Sequence, residues 1–508
     1  MRIKIYICLF FMLVAPIYSQ TVTESDLSFE DEFPLRCSEP ADTIISDLKK
    51  FIPNYMRNEN IPGVQIALIY AGKIAWTEGF GVTNTISKEP VTSNTVFEVA
   101  SLSKVVSAYM ALKLVDDGKI SLEKPLHHYL TDEWLPPSVY RDSIKLSHVL
   151  SHSSGLGKLS KDIMFKPGTA YYYSANGFNL LKKVMEEVTG EAFEALAQRL
   201  VFKPIGMTSS SFIKQAQLIP QTANGHLHAL VITILFGVFF TVFFVIVLLI
   251  SLAIIRLITK SWRLKRAHII IILSVSFILL TIAIFIFFKI SSLLEFGWLI
   301  ILSGIVLLTF FLLIFYTGHH LLLRLFPEKK GRQRILSFMW AIIIVIGMLF
   351  FSAQIVNLPV PRWPDYDASP AGTLRTSAQD LALFLIEISN PQFLKTETAE
   401  HFKTSQIKLS DNLAWGMGPG ILYSNQGYAL WQWGQHIDFQ SIMIVYPEHK
   451  FGIVLCTNND LLNPDVAVEI AHYALGGMFA PLRMAIHLQY DYQEKNHENI
   501  QKSERDLQ

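Results

Sequence analysis

Four apolar stretches in the middle of the chain constrain it more than any other feature. They cover residues 230–255, 269–288, 296–316 and 335–351, and none contains Asp, Glu, Lys, Arg or His. Each runs for about 17 to 26 residues, the length a helix needs to cross the hydrocarbon core of a bilayer. Consecutive soluble helices would show polar faces, and these show almost none. Four transmembrane helices are therefore expected within 229–356. The loop after the first run carries Arg256, Lys260, Arg263, Lys265 and Arg266, and the loop after the third carries Arg324, Lys329, Lys330, Arg332 and Arg334. Between the second and third only Lys289 and Glu295 occur. Basic loops stay in the cytoplasm, so residues before 230 and after 356 are both expected outside. Without an ionisable residue the runs offer no ion pathway, which favours an anchor over a transporter.

The N-terminus agrees with export. Arg2 and Lys4 precede an apolar run from Ile5 to Val14, followed by Ala15-Pro16-Ile17-Tyr18-Ser19, the pattern of a secretory signal peptide over residues 1–19. Residues 20–42 read as a polar lead-in. A net charge of +1 excludes the basic footprint of a nucleic-acid binder. Of the three cysteines, Cys8 lies in the signal segment; Cys37 and Cys456 could pair, but two free thiols are the expectation for so sparse a set. No metal-ligand spacing of His and Cys occurs, so neither metal nor cofactor is expected.

The two polar flanks carry the chemistry. Ile44 to Tyr55 has the spacing of an amphipathic helix, and Val64 to Tyr70 with Ile74 to Phe80 reads as a hairpin turning at Ala71-Gly72-Lys73. Phe97-Glu98-Val99-Ala100-Ser101-Leu102-Ser103-Lys104 then opens an apolar helix, with Val105, Val106, Tyr109, Met110, Leu112 and Val115 on one face and Gly118 beyond its end. Ser101 and Lys104 lie one turn apart on the same side. A serine hydroxyl becomes a nucleophile when a neighbour takes its proton, and a desolvated lysine can do so. Ser46, Ser121, Ser211 and Ser405 also have Lys three residues on, but only Ser101 opens such a helix after a predicted strand pair. Downstream lie His152-Ser153-Ser154-Gly155-Leu156, where His152 reads as a structural hydrogen-bonding residue. Tyr171-Tyr172-Tyr173-Ser174-Ala175-Asn176 follow, with a helix from Phe178 to Val188. After the apolar runs, Trp431 to Phe439, Ser441 to Tyr446 and Phe451 to Cys456 read as successive strands.

In this order, Gly79-Phe80-Gly81, Phe97 to Lys104, Gly118 to Pro125, His152 to Leu156, Pro167 to Leu181, Gly206-Met207, Pro370 to Leu374 with a helix over Thr376 to Ile388, and a final helix over Asp465 to Leu475 resemble the serine β-lactamase and penicillin-binding-protein family, in its class C-like branch. The resemblance implies an α+β fold, an antiparallel sheet with flanking helices and a helical subdomain. It would be built from residues 43–228 and 357–484 around the four inserted helices, with a charged tail over 485–508. It implies Ser101 as nucleophile, Lys104 as its proton-handling partner and Tyr173 as general base or relay. The family's strand motif falls on Gln432-Trp433-Gly434, which makes the backbone N–H groups of Ser101 and Gln435 the oxyanion donors. Gln432, Gly434 and Asn176 are the implied substrate-binding residues. The third position of the Tyr-x-Asn motif holds Ala175, with Asn176 one place late, and a neutral Gln432 anchors a carboxylate less strongly than lysine. The expectation is an exported, multi-pass serine hydrolase of the cytoplasmic membrane, cleaving amide or ester bonds of small acyl or peptide substrates through an acyl-enzyme. The alternative is a slowly turning-over sensor or binding module. Oligomeric state is left open.

Overall fold

The computed structural model describes residues 33–158, 160–227, 358–359, 363, 366–459 and 465–477. The expected signal peptide, most of the polar lead-in, the four apolar runs and the charged tail lie outside the described residues. Among the described residues no helix is long and apolar enough to cross a membrane.

The two flanks build one sheet. Before the apolar runs the chain supplies α1 (Ala41–Asn58), β1 (Gly63–Tyr70), β2 (Lys73–Gly81), β3 (Phe97–Glu98), α2 (Leu102–Asp116), α3 (Leu146–Leu150), α4 (Ala175–Thr189) and β4 (His226–Leu227). After them come β5 (Leu358–Pro359), β6 (Arg375–Thr376), α5 (Ala378–Ser389), β7 (Ile407–Lys408), β8 (Leu413–Trp415), β9 (Gly420–Ser424), β10 (Gly427–Gln435), β11 (Gln440–Tyr446), β12 (Phe451–Thr457) and α6 (Val466–Leu475). The eight-stranded sheet runs β2-β1-β12-β11-β10-β9-β8-β7, antiparallel throughout. β1 from the first flank pairs with β12 from the second, Val64 opposite Thr457 through Ile69 opposite Gly452. The β1–β2 hairpin turns on Ala71 and Gly72, both at positive φ (52° and 75°), as a two-residue hairpin loop requires.

Side chains alternate along the strands and divide the core in two. Val64, Ile66 and Leu68 pack with Ile44, Leu48 and Ile52 of α1 and with α6 on one face. Ala67 and Ile69 face α2, α4 and α5 on the other. β11 and β12, covered on both faces, are buried at every position, which explains why they read as unbroken apolar runs. Cys456 lies on β12; it and Cys37 are free thiols.

Two structural details differ from the sequence-based expectation. α2 is buried on all sides from Leu102 to Leu112 rather than along one stripe, because it threads between the sheet and the helical subdomain. The strand expected to continue to Phe439 ends at Gln435. There the His436 N–H bonds the Phe439 carbonyl at 2.9 Å, so Ile437 and Asp438 form the turn into β11.

The chain departs toward the apolar runs and returns from them at one place. His226 pairs with Pro359 and Leu227 with Leu358, antiparallel. The buried His226 ring fixes this point: Nε2 accepts from the Thr85 N–H at 3.1 Å, which leaves Nδ1–H to donate to the Asn458 carbonyl at 3.1 Å. Burial pushes this imidazole down to about 4, so it stays neutral and holds both bonds.

Candidate active site

The turn before α2 is clamped from both flanks. The Val99 N–H bonds the Leu374 carbonyl at 3.1 Å, and the Val99 carbonyl accepts from Leu102 N–H at 3.1 Å and from Ser441 Oγ at 3.0 Å. Ser103 Oγ donates to the Ala100 carbonyl at 2.5 Å and accepts from Leu374 N–H at 3.0 Å. Gly434 of β10 packs directly on this turn: a Cβ there would collide with the Val99 carbonyl and lie 2.6 Å from Ser441 Oγ. Ala100 is held at φ 45°, a conformation that costs about 1 kcal/mol or more for a non-glycine residue. The clamp thus presents Ser101 at the helix N-terminus with its hydroxyl not spent on capping.

Lys104 reaches that hydroxyl. Its Nζ is 3.1 Å from Ser101 Oγ and donates to the Ala371 carbonyl at 2.7 Å. Ser107 Oγ donates to the neighbouring Pro370 carbonyl at 3.0 Å, which fastens that loop to α2. Lys104 is 3% exposed. Burial first, and the charge of Lys158 second, bring its ammonium down to about 7, where a substantial fraction is the neutral amine that can accept a proton.

Tyr173 stands over the same lysine, with Nζ 4.8 Å from its ring centroid. The approach to it is built from Gly168 at φ 85° and His152 at φ 57°, with Tyr172 N–H bonding the His152 carbonyl at 2.7 Å. Ser174 then caps α4, its Oγ accepting from Gly177 N–H at 3.1 Å. His152 acts structurally, as its sequence context suggested. Its Nδ1 accepts from Ser174 N–H at 3.2 Å and its ring lies 4.1 Å from that of Tyr173. Burial holds it well below the usual imidazole range.

Ser101, Lys104, Tyr173 and Gln435 converge on a cavity of about 350 Å³, lined also by Lys158, Ala175, Trp433 and His436 and by Ser369, Ala371, Gly372 and Thr373. Because His436 and Phe439 form a hydrogen-bonded pair, the next pair, Gln435 and Gln440, is non-hydrogen-bonded, and the Gln435 N–H points away from β11. Among the described residues the pairing of β9 with β10 ends at Trp431, so that N–H faces the open edge beside Ser101.

Three residues expected at the substrate lie off this wall. Gln432 is fully buried; its Nε2 donates to the Trp433 carbonyl at 2.9 Å and approaches Tyr173 Oη at 3.4 Å, so it supports the tyrosine from behind. Gly434 is a packing residue. Asn176 is turned outward, with Nδ2 donating to the Ser160 carbonyl at 2.7 Å, because one step along a helix rotates a side chain by about 100°; the methyl group of Ala175 takes the wall position. Sequence reasoning missed Lys158, which no motif marks, and the setting of His436. Glu98 of β3 pairs with Arg375 of β6 and with His436 Nδ1. Among the described residues one grouping of potential metal ligands occurs, His127, His128 and Asp142; it is not part of the cavity wall.

Comparison with known proteins follows the same outline. The family described as Beta-lactamase matches residues 48–231 and 351–478, and the interval between the two blocks holds all but the outermost residues of the apolar runs. A putative penicillin-binding protein of Bacillus subtilis is 28% identical over 200 residues, 35% of this chain and 49% of that one. A beta-lactamase of Pseudomonas fluorescens is 28% identical over 172 residues, 30% and 46% of the two chains. The chain thus spans about half the length of these curated relatives. Among solved structures, an octameric penicillin-binding protein homologue from Pyrococcus abyssi superposes with a TM-score of 0.54 at 18% identity, covering 85% of this chain and 76% of that one. A class C beta-lactamase mutant does so with 0.54 at 15% identity, covering 85% and 96%. These superpositions speak to the fold: α+β, class C beta-lactamase-like, around an antiparallel sheet. Matched over more than half its length, in two blocks that a single sheet joins, the chain belongs to the beta-lactamase family.

Proposed function

We propose that the protein is a membrane-anchored, exported serine hydrolase that cleaves amide or ester bonds of small acyl or peptide substrates through an acyl-enzyme. The observation that carries this reading is the 3.1 Å contact between Ser101 Oγ and a buried Lys104 whose ammonium is brought down to about 7. Neutral Lys104 accepts the Ser101 proton as Oγ attacks the carbonyl carbon. The N–H groups of Ser101 and Gln435 receive the developing oxyanion, an interaction worth about a hundredfold or more in rate per donor. Tyr173, beside Lys104, relays the proton to the leaving group, and water then releases the acyl group by the reverse route.

Incubation of the full chain in detergent with a fluorophosphonate probe tests the chemistry. Labelling that disappears in Ser101→Ala is expected; equal labelling of both proteins, or of neither, sinks it. Turnover of a simple ester separates a hydrolase from a sensor, which would hold a lasting adduct instead. The anchor rests on the four apolar runs and on the pairing of β4 with β5 at their two ends. Reporter tags placed after residue 227 and before residue 358 are expected on the same, extracytoplasmic side, and tags on opposite sides would refute it.

A further inference from the structure

Away from the cavity, two short 3-10 turns bring three metal-ligating side chains together. Leu126–Tyr129 carries His127 and His128, and Arg141–Ser143 carries Asp142. The turns are tied to each other through Leu126, whose N–H donates to the Ile144 carbonyl at 2.8 Å, and the Leu126 and Ile144 side chains are both fully buried in the core. The two imidazoles stand with ring centroids 4.3 Å apart, and one ligand atom from each of His127, His128 and Asp142 lies within 4.8 Å of the others. His127 Nδ1 is 3.1 Å from Asp142 Oδ1, yet that nitrogen, shielded from solvent, makes no hydrogen bond. A buried polar atom in this state asks for a water or an ion. The spacing suits an ion, because two donors held at about 2.0 to 2.2 Å from a tetrahedral centre stand about 3.3 Å apart.

We propose that His127, His128 and Asp142 form a binding site for zinc, with water in the fourth position. Two imidazoles and one carboxylate suit zinc and its borderline neighbours, whereas calcium and magnesium take oxygen donors. His128 and Asp142 are exposed, so their side chains are free to change rotamer and close the wider gaps. Arg141 Nε competes for the same Asp142 Oδ1 at 3.6 Å, but a solvent-exposed ion pair of this kind is weak and a dication displaces it. The bound ion closes the chain from His128 to Asp142 into a loop, and none of its ligands lines the cavity, so it cross-links the two turns rather than taking part in acyl transfer. Neighbouring histidines and an aspartate fourteen residues further on make no metal motif along the sequence; the fold assembles them.

Zinc chloride and cobalt chloride are the probes, titrated into the chelator-treated full chain in detergent and into its His128→Gln and Asp142→Asn variants. The chain has 15 histidines, so the difference between proteins is what counts. The unmutated chain is expected to bind one equivalent of zinc that each variant lacks or holds at least about tenfold more weakly. Cobalt at the same site is expected to show the strong visible absorption of tetrahedral coordination, lost in both variants. Amide exchange across residues 129–141 is expected to slow when zinc is added to the unmutated chain only. Should either variant fail to fold by circular dichroism, diethyl pyrocarbonate footprinting of the unmutated chain decides: zinc is expected to shield His127 and His128. Equal zinc stoichiometry and affinity in all three proteins, cobalt absorption untouched by the substitutions, displacement of zinc by calcium, exchange in 129–141 indifferent to zinc, or modification of both histidines unchanged by zinc overturns the proposal. None of these readouts depends on the Ser101 chemistry, so the hydrolase reading and the metal site can fail separately.

Discussion

The sharpest consequence of the structure concerns how Ser101 reactivity depends on pH. Lys104 is enclosed by α2, Tyr173 and the 370–373 loop, and its ammonium is brought from 10.5 to about 7, by burial first and Lys158 second. At pH 7 about half of it is the neutral amine, whereas an unshifted lysine would be neutral in about one molecule in three thousand. The fraction able to accept the Ser101 proton is thus raised about a thousandfold. The rate of fluorophosphonate labelling, measured from pH 5.5 to 10, is expected to rise through a midpoint near 7 and level off by about pH 9. The imidazole behind Tyr173, His152, is held well below its usual range and does not contribute that midpoint. Lys158→Gln removes the like charge and is expected to move the midpoint upward, yet leave it far below 10 because desolvation is the larger cause. Lys104→Arg, which cannot deprotonate, is expected to lose about a hundredfold or more. A pH-independent rate, a midpoint near 10, or a downward move in Lys158→Gln would refute the assignment of the proton acceptor.

Three further predictions follow from the same geometry. The folded chain holds Lys104 at about 7 and the unfolded chain near 10.5, so its ammonium burdens the fold fully below pH 7 and is relieved as pH rises toward 10.5. Lys104→Met is therefore expected to increase the free energy of unfolding more at pH 6 than at pH 10, by about 5 kcal/mol at most; an equal gain at both, measured by denaturant unfolding, would contradict the burial argument. Glu98→Gln removes an ionic partner of Arg375, which is 2% exposed, and is expected to destabilise by about 3 to 5 kcal/mol in denaturant unfolding; a change under about 1 kcal/mol would show that this ion pair does not hold β3 to β6. Gly434→Ala drives a methyl group into the Val99 carbonyl, and an overpacking cost of about 1 to 3 kcal/mol is expected together with slowed Ser101 labelling. Unchanged labelling would mean the turn before α2 is not held by β10.

What could be read from the residues divides along physical lines. The β1–β2 hairpin, α2 and the β11–β12 pair were legible because periodicity and turn residues act locally: Ala71-Gly72 turns the chain wherever β1 goes. Ser101 and Lys104 share a helix turn, so their meeting followed from spacing. Short strands such as β3 and β6 were not legible, since two residues carry no period and Phe97 meets Thr376 only across the break in the chain. Long-range side-chain placement was equally hidden. Nothing in Gln432-Trp433-Gly434 says that the glutamine faces Tyr173 while Trp433 faces the cavity, although a strand sends neighbours to opposite sides. Lys158 acquires its meaning only from Lys104, on a different element, and the His436–Glu98–Arg375 cluster is assembled from three separate stretches.

The position of the break explains why a domain can carry it. β4 and β5 are paired, so the roughly 130 residues between Leu227 and Leu358 close a loop whose ends are already adjacent. Replacing a connection of about eight residues by one of that length amounts to four doublings, a closure cost of about 2.4 kcal/mol for a flexible chain, small beside the burial of β1, β11 and β12 on both faces. The same sheet also restricts what the apolar runs can do. β1 lies before them and β12 after them, and the two are hydrogen-bonded over six residue pairs from Val64–Thr457 to Ile69–Gly452. Strands cannot pair across a bilayer, because backbone groups there find partners only within helices or closed barrels. Any crossing made between Leu227 and Leu358 must therefore be answered by a return, which makes the number of spans even. Four apolar runs with basic residues after the first and third satisfy that condition, and a count of three or five, established by tag accessibility, could not coexist with this sheet.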